Sequence, residues 1–365
     1  MKILIDISHP GHVHLFKNFA WIMGKNRHHE ILFTTREKEV TCDLLNHYEF
    51  NYISLGKHGR NLKEKLFGMT KFDYNLYKIA KRFKPDIFLS MASIYASHAS
   101  FFFRKPHIAL EDSEPVPEHQ FLYRPFTDVI LTPERFKKNF GSKQIRYYGF
   151  NELAYLHPKY FNPDSSVLAL LGVNKNEKYA ILRFVAFKAS HDIGIKGFSY
   201  ENKIYVVREL QKYGKVFISS EDKLHNDLEK YQIKISPSQL HDALFYATLY
   251  MGDSQTMATE AALLGTPAIR CNTWARSRRE MSNFLELERR YRILVNLNIK
   301  EQNRAIGLAI KYFKERDLKK EWQRRRQKLL EDKIDVTAFL VWFIEEYPES
   351  FKILRKTPDY QLKFK

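Results

Sequence analysis

The segment GDSQTMATEAALLGTPAI, residues 252 to 269, carries the densest set of groups suited to holding an anion. An apolar run ends at Gly252, Asp253 or Ser254 can cap a helix opening near Gln255, and Gly265 with Pro267 stops that helix before another strand. The amides of Ser254, Gln255 and Thr256 then face out of a helix N-terminus, where phosphate is favoured, and the hydroxyls at 254 and 256 add donors. Glu260, one turn further on, is placed to accept hydrogen bonds from sugar hydroxyls. The competing reading is an ordinary capped amphipathic helix with Ala261, Ala262, Leu263 and Leu264 as its core.

A second group lies in Ser8-His9-Pro10-Gly11-His12-Val13-His14, directly after the first apolar run. Gly11 allows close backbone approach, and His12 is the expected acid/base or acceptor-orienting residue because imidazole titrates near neutral pH. A metal site from His9, His12 and His14 is an alternative, but no nearby acid or cysteine completes it; no metal is expected. A structural role for all three histidines is the other alternative. Glu111, Asp112, Glu114 and Glu118 form an acidic group in a basic chain, and one of Glu111, Asp112 and Glu118 could serve as general base toward an acceptor hydroxyl. The same pattern also suits a solvated acidic loop. Arg183 within a strand and His191 in the loop after it could reach a phosphate or base, although a solvent-facing loop histidine is as natural.

These groups need a scaffold that brings loop residues to one edge. Short apolar runs alternate with helical-period segments in both halves, the pattern of parallel βαβ units. The first half offers strands at 2–7, 30–35, 51–55, 86–90, 107–110 and 128–131, with helices near 15–24, 38–47, 62–83, 95–103 and 118–126 between them. The second offers strands at 179–185, 216–219, 249–252, 267–271 and 293–297, with helices at 203–213, 238–247, 255–264 and 301–314. The expected organisation is a Rossmann-like domain over 1–156, a second over 157–330, and a helical tail over 331–365 that packs back on the first. Doubly wound sheets bind ligands at the carboxyl ends of their strands, so the site is expected between the two domains.

Composition bounds the function class. The chain has 365 residues with 44% hydrophobic content, too apolar for disorder and long enough for two cores. Cys42 and Cys271 form no CxxC, so neither a disulfide framework nor a zinc site is expected. Met1 to Ile7 reaches Asp6 too soon for a signal-peptide core, and a cytoplasmic location is expected. The net charge of +18 attracts anions. From Lys57 to Lys84, nine Lys and Arg stand among Leu66, Phe67, Met69, Phe72 and Tyr74, as on surfaces that lie against an anionic membrane; a helix with an apolar core side and solvated charges is the alternative. A second basic run, Lys311 to Lys333, includes Arg324-Arg325-Arg326. No specific nucleic-acid motif is present.

Three stretches, IDISHPGHVHLFKN, GFNELAYLHP and GDSQTMATEAALLGTPAIRCN, together resemble the domain-of-unknown-function family 354 over nearly the whole chain. The 252–269 segment also looks like the donor-nucleotide motif of GT-B-fold proteins, including the lipid-II-forming N-acetylglucosaminyltransferase and the UDP-N-acetylglucosamine 2-epimerases. The resemblance implies an α/β GT-B fold, two doubly wound parallel-sheet domains facing a cleft. It also implies that Asp253, Ser254, Gln255, Thr256 and Glu260 hold a nucleotide sugar, with Gly11, Arg183 and His191 contributing. Gly11-His12 matches the glycine-rich loop of the lipid-II enzyme without its full run of glycines. His191-Asp192 stands where the epimerases have His-Arg. Glu111 and Glu118 match two epimerase carboxylates, whereas Met91-Ala92-Ser93 stands where the third is expected. The expectation is therefore a metal-independent, inverting glycosyltransferase with a UDP-linked donor, no separate cofactor and a glycan or lipid-linked acceptor in surface glycan assembly. The alternatives are a sugar-nucleotide epimerase and a non-catalytic anion-binding protein.

Overall fold

KILIDI at the amino end and VILTP further on are runs dominated by branched apolar residues, suited to strands buried on both faces. In the computed structural model, which describes residues 1–37, 39–57, 62–185, 197–220 and 224–365 (with the side chains of 39 and 62–67 also left out), such runs build two parallel sheets. The chain divides into one unit of Met1–Tyr160 with Lys333–Lys365, and a second of Phe161–Asp332.

In the first unit the strands are β1 (Lys2–Ile7), β2 (Glu30–Thr35), β3 (Tyr52–Ser54), β4 (Ile87–Met91), β5 (His107–Leu110), β6 (Val129–Pro133) and β7 (Gln144–Tyr147). Among the described residues they form a seven-stranded sheet in the order β3-β2-β1-β4-β5-β6-β7, every pair parallel. The order reverses between β1 and β4, so the loops leaving these two strands diverge to opposite faces and open a crevice at their carboxyl ends. Strand β7 is not anticipated by the hydropathy pattern: QIRY alternates polar and apolar residues and is too short to stand out. The first helix starts at Pro10, five residues before the periodicity suggests, because Pro suits the first helical position and the His9 side chain accepts the Gly11 amide.

The terminal segment belongs to the first unit. Asp335 caps the helix Val336–Glu345, Thr337 donates to the Ala154 carbonyl at 2.7 Å, and Phe339 stacks on Tyr147. In the helix Leu62–Phe83, Phe72, Leu76 and Ala80 lie in the core while Lys71, Tyr74 and Lys78 are exposed; Leu66 and Phe67 fall outside the described side chains.

In the second unit β8 (Tyr179–Phe184), β9 (Lys215–Ser220), β10 (Leu249–Gly252), β11 (Ala268–Asn272) and β12 (Leu294–Asn298) pair in the order β12-β11-β10-β8-β9, again all parallel. The reversal lies between β8 and β10. Its core joins Leu182, Ile218, Met251, Ile269 and Leu297 from the five strands to Val206, Leu210, Ile306 and Phe313 from the covering helices.

Candidate functional site

At the second unit's reversal point, β8 delivers Arg183 and β10 delivers Gly252, which are register partners. A side chain at 252 would bring its Cβ within 2.5 Å of the Arg183 carbonyl and 2.8 Å of the Tyr250 hydroxyl, so only glycine lets the two strands close at this edge. The Asp253 amide then donates to the Arg183 carbonyl, and Asp253 Oδ1 accepts the Val185 amide at 2.8 Å. Asp253 thus ties the two diverging loops together. Burial pushes its carboxyl up to about 7, and Oδ2 has no hydrogen-bond partner among the described residues. Arg183 Nη1 donates to Ser219 Oγ on β9.

Ser254 caps the helix Gln255–Leu263, its Oγ accepting the Met257 amide. The amides of Gln255 and Thr256 belong to the first turn, which has no carbonyl of its own helix to donate to, and both residues are partly exposed. At the other end Gly265 takes φ +73°, Gln323 donates to the Leu264 carbonyl, and Arg326 Nε donates to the Leu263 carbonyl. The Arg324-Arg325-Arg326 run therefore separates: Arg324 and Arg325 pair with Glu321, whereas the half-buried Arg326 sets a cation on the carboxyl end of the site helix, complementing its dipole. Glu260 is only 5% exposed and its Oε1 lies 3.0 Å from His241 Nε2. His241, on the neighbouring helix Leu240–Tyr246, was silent in the sequence, where nothing in its spacing links it to Glu260 nineteen residues away. His191 lies outside the described residues.

In the first unit, the reversal point is flanked by the loop after β1 and the loop after β4. His12 sits in the first turn of the helix Pro10–Trp21, partly exposed, with Nδ1 accepting the Ser8 amide at 3.3 Å. A neutral ring that accepts at Nδ1 carries its proton on Nε2, so it presents a donor. Gly11 is held by its amide on His9. The histidine trio does not stay together. His14 is buried against Tyr155 and Tyr48, whereas His9 and His12 lie toward solvent with ring centroids 5.9 Å apart.

Beneath this loop, Asp6 at the end of β1 accepts from Thr34 at 2.8 Å, from Arg36 at 2.7 Å and from Ser93 at 2.5 Å. This buried network binds the exits of β1, β2 and β4, and Ser93 also caps the next helix, Ile94–Phe103. Sequence spacing gives no sign of it, because its members are spread over almost ninety residues.

The acidic group also divides. Glu111 is buried, receiving the Ser113 amide at 2.7 Å and the Tyr123 hydroxyl at 3.0 Å, and burial pushes its carboxyl up to about 8. Glu114 is buried and accepts the Lys137 amide. Asp112 remains partly exposed, held by Asn151 at 2.8 Å, and desolvation raises its pKa. Asn151 comes from the GFNELAYLHP stretch and donates to Asp112 Oδ2, while the Ser113 hydroxyl donates to Oδ1 at 3.2 Å, so that stretch helps to orient the partly exposed acid of the loop. Glu118 is exposed on the helix Pro117–Tyr123. Both carboxyls accept hydrogen bonds on both oxygens, Asp112 from Asn151 and from the Ser113 hydroxyl, so partial exposure is what distinguishes Asp112 from the buried Glu111.

Known proteins share this arrangement of sheets and edges. The family described as "Protein of unknown function (DUF354)" matches residues 1–338. An uncharacterized protein of Methanocaldococcus jannaschii is 25% identical over 284 residues, covering 74% of this chain and 82% of that one. Among solved structures, the S. aureus MnaA–UDP co-structure has a TM-score of 0.67 at 14% identity, covering 96% of this chain and 97% of the other. UDP-GlcNAc 2-epimerase from Neisseria meningitidis bound to UDP-GlcNAc has a TM-score of 0.55 at 15% identity, covering 91% and 100%. The Streptomyces sp. SF2575 glycosyltransferase SsfS6, complexed with thymidine diphosphate, has a TM-score of 0.59 at 13% identity, covering 95% and 99%. At such identities the likeness establishes the fold, two Rossmann-like units of GT-B type shared by epimerases and glycosyltransferases.

Proposed function

The chain belongs to the DUF354 family, and from that premise we propose that it is a nucleotide-sugar-dependent glycosyltransferase whose second unit holds a UDP-linked donor. The observation that carries the reading is the edge of β10. Gly252 lets two strand exits close, Asp253 locks them, and the Ser254-capped helix offers the Gln255 and Thr256 amides beside them. Amides and a helix dipole stabilise a departing diphosphate as preorganised donors, so the proposed transfer needs no metal. Glu260, with one oxygen on His241, accepts from ribose hydroxyls. Arg183 adds positive charge at the same edge. In the first unit, Asp112 takes the proton of the acceptor hydroxyl and His12 orients that acceptor by donating from Nε2; Glu118 is the exposed alternative base. The acceptor is a glycan or lipid-linked sugar. Solved relatives that carry UDP, UDP-GlcNAc or thymidine diphosphate support this choice of donor.

A thermal-shift screen of nucleotides and nucleotide sugars tests the donor. A true donor at 100 times its dissociation constant stabilises the unit that binds it by about 2.7 kcal/mol. No shift with any uridine or thymidine nucleotide contradicts the reading.

The epimerase reading has its own support in the N. meningitidis relative. Against it, the loop after β4 carries Ala92 and Ser93 with no carboxylate, and Glu111 is buried. Incubation with UDP-N-acetylglucosamine in deuterated water separates the two. The transferase reading expects no deuterium at carbon 2 of the recovered sugar nucleotide, and enzyme-dependent incorporation reverses the preference.

A further inference from the structure

The helix Ile94–Phe103 runs away from the carboxyl edge of the first sheet and ends in Phe101-Phe102-Phe103-Arg104-Lys105, a sequence for which the carboxyl-edge site has no use. Phe121, Phe101 and Phe102 are 78%, 66% and 64% exposed, the three most exposed large hydrophobic side chains among the described residues. They are not scattered. Phe101 packs edge-on against Phe126, Phe102 meets Tyr77 at 4.7 Å between centroids, and His98 bridges Phe126 and Asp73. These contacts join the helices Leu62–Phe83 and Ile94–Phe103 to the turn Arg124–Phe126; the helix Pro117–Tyr123, which carries Phe121, packs on Ile94–Phe103 and runs directly into that turn, leaving the aromatic tips outward. Burying such tips is favoured, and isolated monomers rarely leave them clustered in the open.

The charge around the tips selects the partner. A depression of about 870 Å³ beside Phe101 and Phe102 is lined by Arg104, Lys105 and Lys143, with Asp128 as its acid; at its margin Lys105 lies 3.8 Å from the exposed Asp86, and Lys143 donates to the Arg124 and Pro125 carbonyls. Asp128 accepts the His107 amide, and Asp73 on the same face is taken by His98. Lys78 and Lys81 add exposed positive charge along the neighbouring helix. A second copy of this chain pairing through the face would set like charges together, whereas an anionic bilayer offers phosphates to the cations and an apolar interior to the rings. No helix among the described residues is long and apolar enough to cross a membrane, so attachment through this face is peripheral.

We propose that this face of the first unit docks on an anionic lipid bilayer, with Phe101, Phe102 and Phe121 inserted at the interface and Arg104, Lys105 and Lys143 over headgroup phosphates. The docking stands independently of the sugar-nucleotide reading. It lies at the amino edge of the sheet, where β5 begins, and so leaves the loops after β1 and β4 uncovered. It also draws on the basic helix singled out in the sequence, but moves the inserted residues to the two helices that follow.

Flotation of the full chain with phosphatidylcholine vesicles, with and without phosphatidylglycerol, tests it. The expected result is recovery with phosphatidylglycerol vesicles only, falling as salt is raised. Phe101→Ser, Phe102→Ser and Phe121→Ser combined should lower that recovery by about tenfold or more, because apolar insertion is removed. Arg104→Gln with Lys105→Gln should weaken binding mainly at low salt. As a conservative reporter, Phe121→Trp should keep binding and show a blue-shifted emission with phosphatidylglycerol vesicles. Equal recovery of parent and triple-serine variant overturns the proposal. So does a Phe121→Trp emission unchanged by vesicles, or loss of self-association in the triple-serine variant with vesicle binding intact.

Discussion

Glu260 is the residue on which the donor assignment bears most directly, and its environment sets what its removal should do. One oxygen is committed to His241, so Glu260→Ala removes a ribose acceptor and also strips a buried histidine of its partner. Losing hydrogen bonds to a charged acceptor costs ~1.5 to 3 kcal/mol, which corresponds to about a tenfold to hundredfold loss of UDP affinity by calorimetry. Unchanged affinity in a folded variant removes Glu260 from the ribose. Glu111 makes a different prediction. With its pKa raised by burial to about 8, it keeps its proton in the folded state over a range where the unfolded chain has released it. The native state then binds more protons, so stability falls as pH rises from about 5 to about 8. Urea unfolding of the first unit should show that decline, and Glu111→Gln should flatten it; a variant with the parent's pH slope places the titration elsewhere. The sequence showed four acids close together, but it could not show which faced inward. That depended on Tyr123 and Asn151, which reach Glu111 and Asp112 from further along the chain.

At the scale of elements, parallel strands were legible because each is a short run of branched apolar residues between polar turns, and the helix at Gln255 was legible because a Ser cap and a Gly-Thr-Pro stop bracket it. Strand β7 and the early start of the first helix were not. One is too short and mixed in polarity to show a period, and the other begins on a Pro-Gly-His turn that lacks an apolar face. The connection between β8 and β10 gives a sharp test. Gly252→Ala places a methyl group 2.5 Å from the Arg183 carbonyl, so the strand edge must shift. Overpacking of this kind costs about 1 to 3 kcal/mol, read as a lower urea midpoint for the second unit. Because the same shift drags Asp253 and Val185, nucleotide affinity should fall with it. A variant of parental stability and affinity means that the edge is looser than described.

For the whole molecule, two doubly wound units supply two reversal points, and part of the set singled out by type and spacing lies at them: His12 in the turn after β1, and Arg183, Asp253 and Ser254 beside the exits of β8 and β10. The alternation of strands and helices makes that architecture readable in the order of the amino acids, because a parallel sheet leaves few ways to connect its strands. The partners within each site were less readable, since Asp6 with Ser93 and His241 with Glu260 meet only through the fold. The proposed function stands or falls on whether the start of the helix Gln255–Leu263 binds the diphosphate of a nucleotide sugar. Amide hydrogen exchange, followed with and without saturating UDP, reads the atoms concerned. Exchange at Gln255 and Thr256 should slow, with little change along β12; protection absent from 254–257, or confined to the first unit, contradicts diphosphate binding at this helix.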